Sequence, residues 1–87
     1  MKPFKAQIIT PSGTVFDGET TGIQMPGVEG KFEIKYNHAS LLALLTEGKA
    51  RLLYPDNSEE VYNIGTGFVE VHDNSVIVMT QAADKVD

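Results

Sequence analysis

The chain has 87 residues, a net charge of −5, 41% apolar and 22% charged residues, and no cysteine. That length makes one domain, residues 1–87, which buries only about 60–65% of the surface its unfolded form exposes. The charge disfavours a phosphate-binding surface, and the missing cysteines exclude disulfides and thiolate metal sites.

The dominant hydrophobic period is two. Residues 5–10, "KAQIIT", lead into the turn residues Pro11-Ser12-Gly13. Residues 14–25, "TVFDGETTGIQM", are rich in strand formers, and Gly18 and Gly22 inside them suggest a bulge or a bend. "MPGVEGK" is a loop by composition. "FEIKY" then alternates, with Phe32, Ile34 and Tyr36 on one face.

The stretch "KYNHASLLALLTEG", residues 35–48, is the ambiguous one. Asn37 or Ser40 could cap a helical turn, and Gly48 stops whatever begins there. We expect at most a single helical turn near residues 38–41, followed by a short strand. In that strand Leu42 and Leu44 face one way and Leu41 and Leu45 the other. Both pairs could be core, or one could be an interface patch.

"ARLLY" and "EEVYNI" read as strands around the turn residues "PDNS", 55–58. "FVEV" and "SVIVM" flank His72-Asp73-Asn74, and Asp73-Asn74 suit the centre of a tight hairpin. "SVIVM" is apolar on both faces, as in a central strand or one that meets a partner. The whole reads as an all-β, flattened β-sandwich or barrel of about eight to ten short strands.

No candidate site in the sequence is convincing as an enzyme centre. His38 and His72 are the two histidines, and no His-x-x-x-His pair exists, so no metal site is expected. The plain reading of His38 is a side chain hydrogen-bonded to a nearby turn. "GTGF" at residues 65–68 resembles a phosphate loop, but a strand rather than a helix follows it. Gly65 and Gly67 are better read as sites of a kink or of close backbone approach. Glu59 and Glu60 are adjacent, so a strand would point them apart. Ser12, Ser40, Ser58 and Ser75 lie in turn-like contexts, and none sits in a nucleophile elbow. No catalytic, cofactor-binding or metal-ligating residue is therefore assigned, and no cofactor is expected.

The basic residues Lys2, Lys5, Lys31, Lys35, Lys49, Arg51 and Lys85 look scattered along the chain, so no nucleic-acid partner is expected. No run approaches the roughly 20 apolar residues of a spanning helix, so membrane association would come through another protein.

In order along the chain stand Gly27 and Gly30, then Ile34, His38 to Leu42, Gly48, Gly65 to Val71 and Asn74. This set, with its spacing, resembles the epsilon subunit of F-type ATP synthase, N-terminal β-sandwich domain. Three positions depart from that pattern: Thr66 separates what is often a Gly-Gly pair, Ser40 stands where proline is usual, and Asn37 where glycine is frequent. The resemblance implies a non-catalytic central-stalk subunit that couples a membrane rotor ring to the gamma subunit in proton-driven ATP synthesis. It implies a gamma-subunit interface at His38, Ala39, Leu41, Leu42 and Ala43, and rotor-ring contact at Val28, Glu29, Gly30 and Lys31. It also implies a peripheral position on the cytoplasmic face of a bacterial inner membrane. Such subunits commonly continue into a helical hairpin that restrains ATP hydrolysis; this sequence ends at Asp87, and that activity is not expected of it. The rivals are a free-standing β-sandwich that binds a small ligand such as a carbohydrate, and a small enzyme. The first would need an aromatic platform, yet the chain has no tryptophan and three tyrosines.

Overall fold

The computed structural model describes residues 2–86. Their strands are β1 (Phe4–Thr10), β2 (Gly13–Thr20), β3 (Gly22–Gly27), β4 (Gly30–Ile34), β5 (Leu41–Leu45), β6 (Gly48–Leu53), β7 (Glu59–Ile64), β8 (Gly67–His72), β9 (Ser75–Thr80) and β10 (Ala83–Val86). They run in the order β10-β7-β6-β3-β5-β8-β9-β1-β2, with β4 paired to β3. Between β3 and β5 a single residue pair, Gly27 opposite Leu45, carries the ladder. The path folds at that junction into two layers, β4-β3-β6-β7-β10 and β5-β8-β9-β1-β2. Phe16 of β2 meets Tyr62 of β7 edge-on, with centroids 6.5 Å apart, so the two ends of the path close over the core.

Period-two alternation supplies that core. Ile8, Val69 and Val78 from one layer and Ile23, Ala50 and Leu52 from the other are each fully buried. Their strand neighbours Ile9, Phe68, Met79, Gln24 and Arg51 are at least partly exposed. This is the all-β sandwich expected, with the expected turns. Asp73 and Asn74 take φ 48° and 58°, the left-handed pair that a two-residue hairpin needs between His72 and Ser75. Asn57 is left-handed in the 55–58 turn, where Ser58 Oγ and N–H both bond Asp56 Oδ1.

Several details differ from the reading of the residues. Residues 14–25 form parts of two strands in different layers, and the break falls at Thr21. The crossing is held by Thr21 N–H on the Leu53 carbonyl at 2.9 Å and by Thr20 Oγ1 on the Gly22 carbonyl at 2.7 Å. The β1–β2 bulge lies between Ile8 and Ile9, with Ile8 opposite Phe16 and Ile9 opposite Thr14, so Val15 is the extra residue rather than Gly18. No helical turn forms at residues 38–41. Asn37 is left-handed at φ 64°, which breaks helical geometry, and Leu41 is already paired opposite Val71. Tyr36 lies beyond the end of β4 and is exposed; its ring sits 5.3 Å from Lys2 Nζ.

β10 carries no strand signal in its letters, because "ADKV" has no alternating apolar face. It pairs with β7 from Ala83–Ile64 to Val86–Val61. Lys85 Nζ reaches Glu60 Oε2 at 2.6 Å, and the Tyr54 hydroxyl donates to Glu60 Oε1. Both carboxylate oxygens are thus engaged. Glu60 is held below the usual glutamate range, first by the Lys85 hydrogen bond and then by that of Tyr54, against the opposing cost of burial. Burial, and then Glu60, push Tyr54 well above the usual tyrosine range, so the phenol stays protonated. Tyr62, also on this face, is pushed up chiefly by burial. A carboxylate whose folded value is lowered contributes stability above its unfolded value of about 4.3, and that contribution is lost as pH falls through the folded value. Glu60→Gln should therefore lower Tm at pH 7, with a deficit that shrinks as pH falls towards 3. Thermal unfolding at several pH values checks this; a deficit independent of pH would refute it.

Candidate interaction surfaces

The structure decides between the two readings of the leucine run. Leu45 is buried, and Leu41 and Ala43 are half-buried against the core. Leu42 and Leu44 point outward, 68% and 66% exposed. The strand register then sets apolar neighbours beside them. Leu44 lies opposite Phe68, Phe68 opposite Met79, and Met79 opposite Ile9. One row of four apolar side chains therefore crosses β5, β8, β9 and β1 on the outer face. The row beside it carries Leu42, Glu70, Ile77 and Gln7. Nothing in the described chain covers this ridge. A contiguous apolar patch on a small domain marks a surface that meets another molecule.

Of the five residues expected at a gamma interface, three are presented outward: Leu42 on the ridge, and His38 and Ala39 in the exposed loop before β5. Leu41 and Ala43 turn inward. Leu44 belongs with Leu42, and the i, i+2 rule applied to the same five letters would have found it. Phe68 and Met79 could not be found that way, because their place beside Leu44 depends on cross-strand register.

Val28, Glu29, Gly30 and Lys31 form the tip of the β3–β4 hairpin, and all four are exposed. Gly30 takes φ 126°, which the tight reversal demands. The tip is anchored to β5: Val28 N–H donates to the Leu44 carbonyl at 3.0 Å, and Thr46 N–H to the Pro26 carbonyl at 2.9 Å. The two expected contact regions therefore adjoin, and both border one shallow groove.

On the outer face of the other layer, Lys31 lies opposite Pro26, and Gln24 sits between Glu33 and Arg51. Lys31, Lys49 and Arg51 thus line one open groove, together with Glu33 and Glu47. The basic residues are less scattered in space than along the chain. Arg51 pairs with Glu59 at 2.9 Å, and Lys35 nearby pairs with Glu33 at 3.5 Å.

One arrangement has the outline of catalytic machinery. Ser40 Oγ stands 3.4 Å from His72 Nδ1, and His72 Nε2 stands 3.1 Å from Asp73 Oδ2. The histidine and aspartate side chains are 74% and 89% exposed. None of Ser40, His72 and Asp73 lines either of the two grooves described above. The His38 ring Nδ1 donates to the Ala39 carbonyl at 2.8 Å, the turn-bonded role expected of it. Among the described residues no three His, Asp or Glu side chains gather as metal ligands. Gly67 serves close packing: a Cβ there would meet the Met79 carbonyl and lie 2.7 Å from Thr80 Cα.

Residues 3–86 match the β-sandwich domain of the ATP synthase delta/epsilon chain. The ATP synthase epsilon chain of Chlorobium limicola is 45% identical over 80 residues, covering 92% of this chain and 91% of that one. The ATP synthase epsilon chain of Sulfurimonas denitrificans is 37% identical over 83 residues, 95% of this chain and 64% of its own. Among solved structures, a chain of the Euglena gracilis mitochondrial ATP synthase OSCP/F1/c-ring assembly shares the fold at a TM-score of 0.86 with 20% identity, over 94% of this chain and 54% of that chain. A chain of the Tetrahymena thermophila mitochondrial ATP synthase central stalk and c-ring does so at 0.76, over 92% and 64%. The chain belongs to the ATP synthase delta/epsilon family.

Proposed function

We propose that this delta/epsilon-family β-sandwich is a non-catalytic central-stalk subunit of a proton-driven ATP synthase, placed between the gamma subunit and the membrane rotor ring. The catalytic sites belong to other subunits, and the chain needs no cofactor of its own. Attachment to the membrane, at the cytoplasmic face of a bacterial inner membrane, is through the complex.

The observation that carries this reading is the uncovered apolar ridge on a sheet whose other face is the core. Gamma docks on Leu42 and Leu44, flanked by Phe68 and Met79 on one side and by His38 and Ala39 at the end. Leu41 and Ala43 contribute from behind by fixing the strand. The ring's polar loops meet Val28, Glu29, Gly30 and Lys31 at the hairpin tip. Load applied at that tip passes through the Val28–Leu44 and Thr46–Pro26 hydrogen bonds straight into the strand that carries the docking leucines. A close-packed sandwich resists the shear that this transmission demands.

The test is binding of purified gamma and of purified ring by the intact chain and its variants. Leu42→Asp and Leu44→Asp should each weaken gamma binding at least tenfold, since each would bury an unpaired charge. Tm should hardly move, because both side chains are largely exposed. Reversing charge at Glu29 and Lys31 should weaken ring binding more than gamma binding. Undiminished gamma binding by both leucine variants would remove the docking surface.

A further inference from the structure

The loop between β4 and β5 lies outside the sheet. Its one internal backbone bond joins His38 N–H to the Lys35 carbonyl at 3.2 Å. Residues 37–40 are all exposed, so packing does not fix them. They are fixed from across the molecule. Asn37 N–H donates to Asn74 Oδ1 at 2.6 Å, and Asn74 Nδ2 donates back to Asn37 Oδ1 at 3.4 Å. At the other end of the loop the Ser40 hydroxyl meets His72 Nδ1 at 3.4 Å. Asn74 is itself tied down, its carbonyl accepting Lys5 N–H at 3.2 Å.

Turn chemistry admits an asparagine here but does not use its carboxamide. The second central position of a hairpin with two left-handed residues is best filled by glycine, and Asn74 occupies it at φ 58°. Its side chain is dispensable for the turn and is spent entirely on the loop. The next residue after Ser40 is Leu41, the first of β5, so the loop's angle decides where His38 and Ala39 stand beside Leu42.

We propose that Asn74 is a positioning residue: its carboxamide clasps the 37–40 loop to the β8–β9 hairpin and holds His38 and Ala39 in register with the docking ridge. This rests on the ridge being the gamma-binding surface.

Two substitutions separate the clasp from the turn. Asn74→Gly keeps left-handed backbone and removes the carboxamide. Asn74→Asp keeps the Oδ1 acceptor and loses the weaker return bond. In the full chain, Asn74→Gly should leave Tm unchanged or raised. It should speed hydrogen exchange at the Asn37 amide about tenfold, lower backbone order over residues 38–40 and weaken gamma binding several-fold. Asn74→Asp should restore amide protection and most of the affinity. Unchanged exchange at Asn37 in Asn74→Gly would overturn the clasp. A released loop with undiminished gamma affinity, while Leu42→Asp still abolishes binding, would overturn its positioning role and leave the docking surface standing. Loss of effect in Leu42→Asp as well would instead remove the docking surface on which the role depends.

Discussion

Replacing Gly67 with alanine should cost the fold a large share of its stability. The added methyl would overlap the Met79 carbonyl and lie 2.7 Å and 2.9 Å from Thr80 Cα and the Met79 carbonyl carbon. Those are backbone atoms of the neighbouring strand and cannot swing aside. Gly67 is not in the left-handed region, so the constraint is space and not backbone conformation. Relief requires β8 and β9 to part at the Gly67–Thr80 pair, where Thr80 Oγ1 also bonds the Gly65 carbonyl at 2.9 Å. A cost of about 4 kcal/mol or more is expected. A domain of this size has about 4–13 kcal/mol in total. Gly65→Ala is the control: its nearest new contacts are at 3.6 Å, ordinary van der Waals separation, its backbone is not left-handed, and stability should hold or rise by up to about 1 kcal/mol. Urea denaturation of both variants decides the matter, and equal midpoints would refute the packing argument.

The second large effect tests alternation directly. Ile8 and Ile9 are chemically identical neighbours on β1. Ile8 is fully buried, opposite Val78 on one side and Phe16 on the other. Ile9 stands half-exposed at the end of the outer apolar row. Ile8→Ala should cost about 2–5 kcal/mol through lost burial and the cavity left between layers. Ile9→Ala should cost roughly 1 kcal/mol or less, since the residue is already partly in water. If gamma docks on the ridge, the order reverses for binding, with Ile9→Ala the more damaging per unit of stability lost. Chemical unfolding curves measure the first contrast and gamma titration the second. Similar stability losses for the two would mean that the two faces are not inside and outside.

Alternation, turn residues and chain length were enough to read an all-β sandwich from the letters. Asp73-Asn74 was legible because left-handed backbone restricts the choice of residue so strongly. The division of the leucines into two opposite-facing pairs was legible too, but not whether either pair faced outward, since that depends on what lies over each face. Register, which sequence spacing does not encode, set Phe68 and Met79 beside Leu44 and so turned two exposed leucines into a ridge. β10 escaped notice because an edge strand held by backbone pairing and by Lys85 on Glu60 needs no apolar face. The Ser40–His72 and Asn37–Asn74 links escaped for a different reason: each joins residues more than thirty positions apart. Glu60 shows only its neighbour Glu59 along the chain, whereas Tyr54 and Lys85 draw it into the edge of the sandwich.

The parallel pairing of β1 with β9 has a consequence for how the protein is made. Residues 5–9 find their partners at 75–79, so β1 leaves the ribosome well before the strand it pairs with and must wait for it. During that interval its apolar side chains are open to chaperones and to other nascent chains. Most of the close contacts here are likewise distant along the chain, and such topologies fold in milliseconds to seconds rather than microseconds. Stalled or truncated translation products that end before residue 75 would therefore be left with β1 unpaired on one side, and should be degraded rather than assembled.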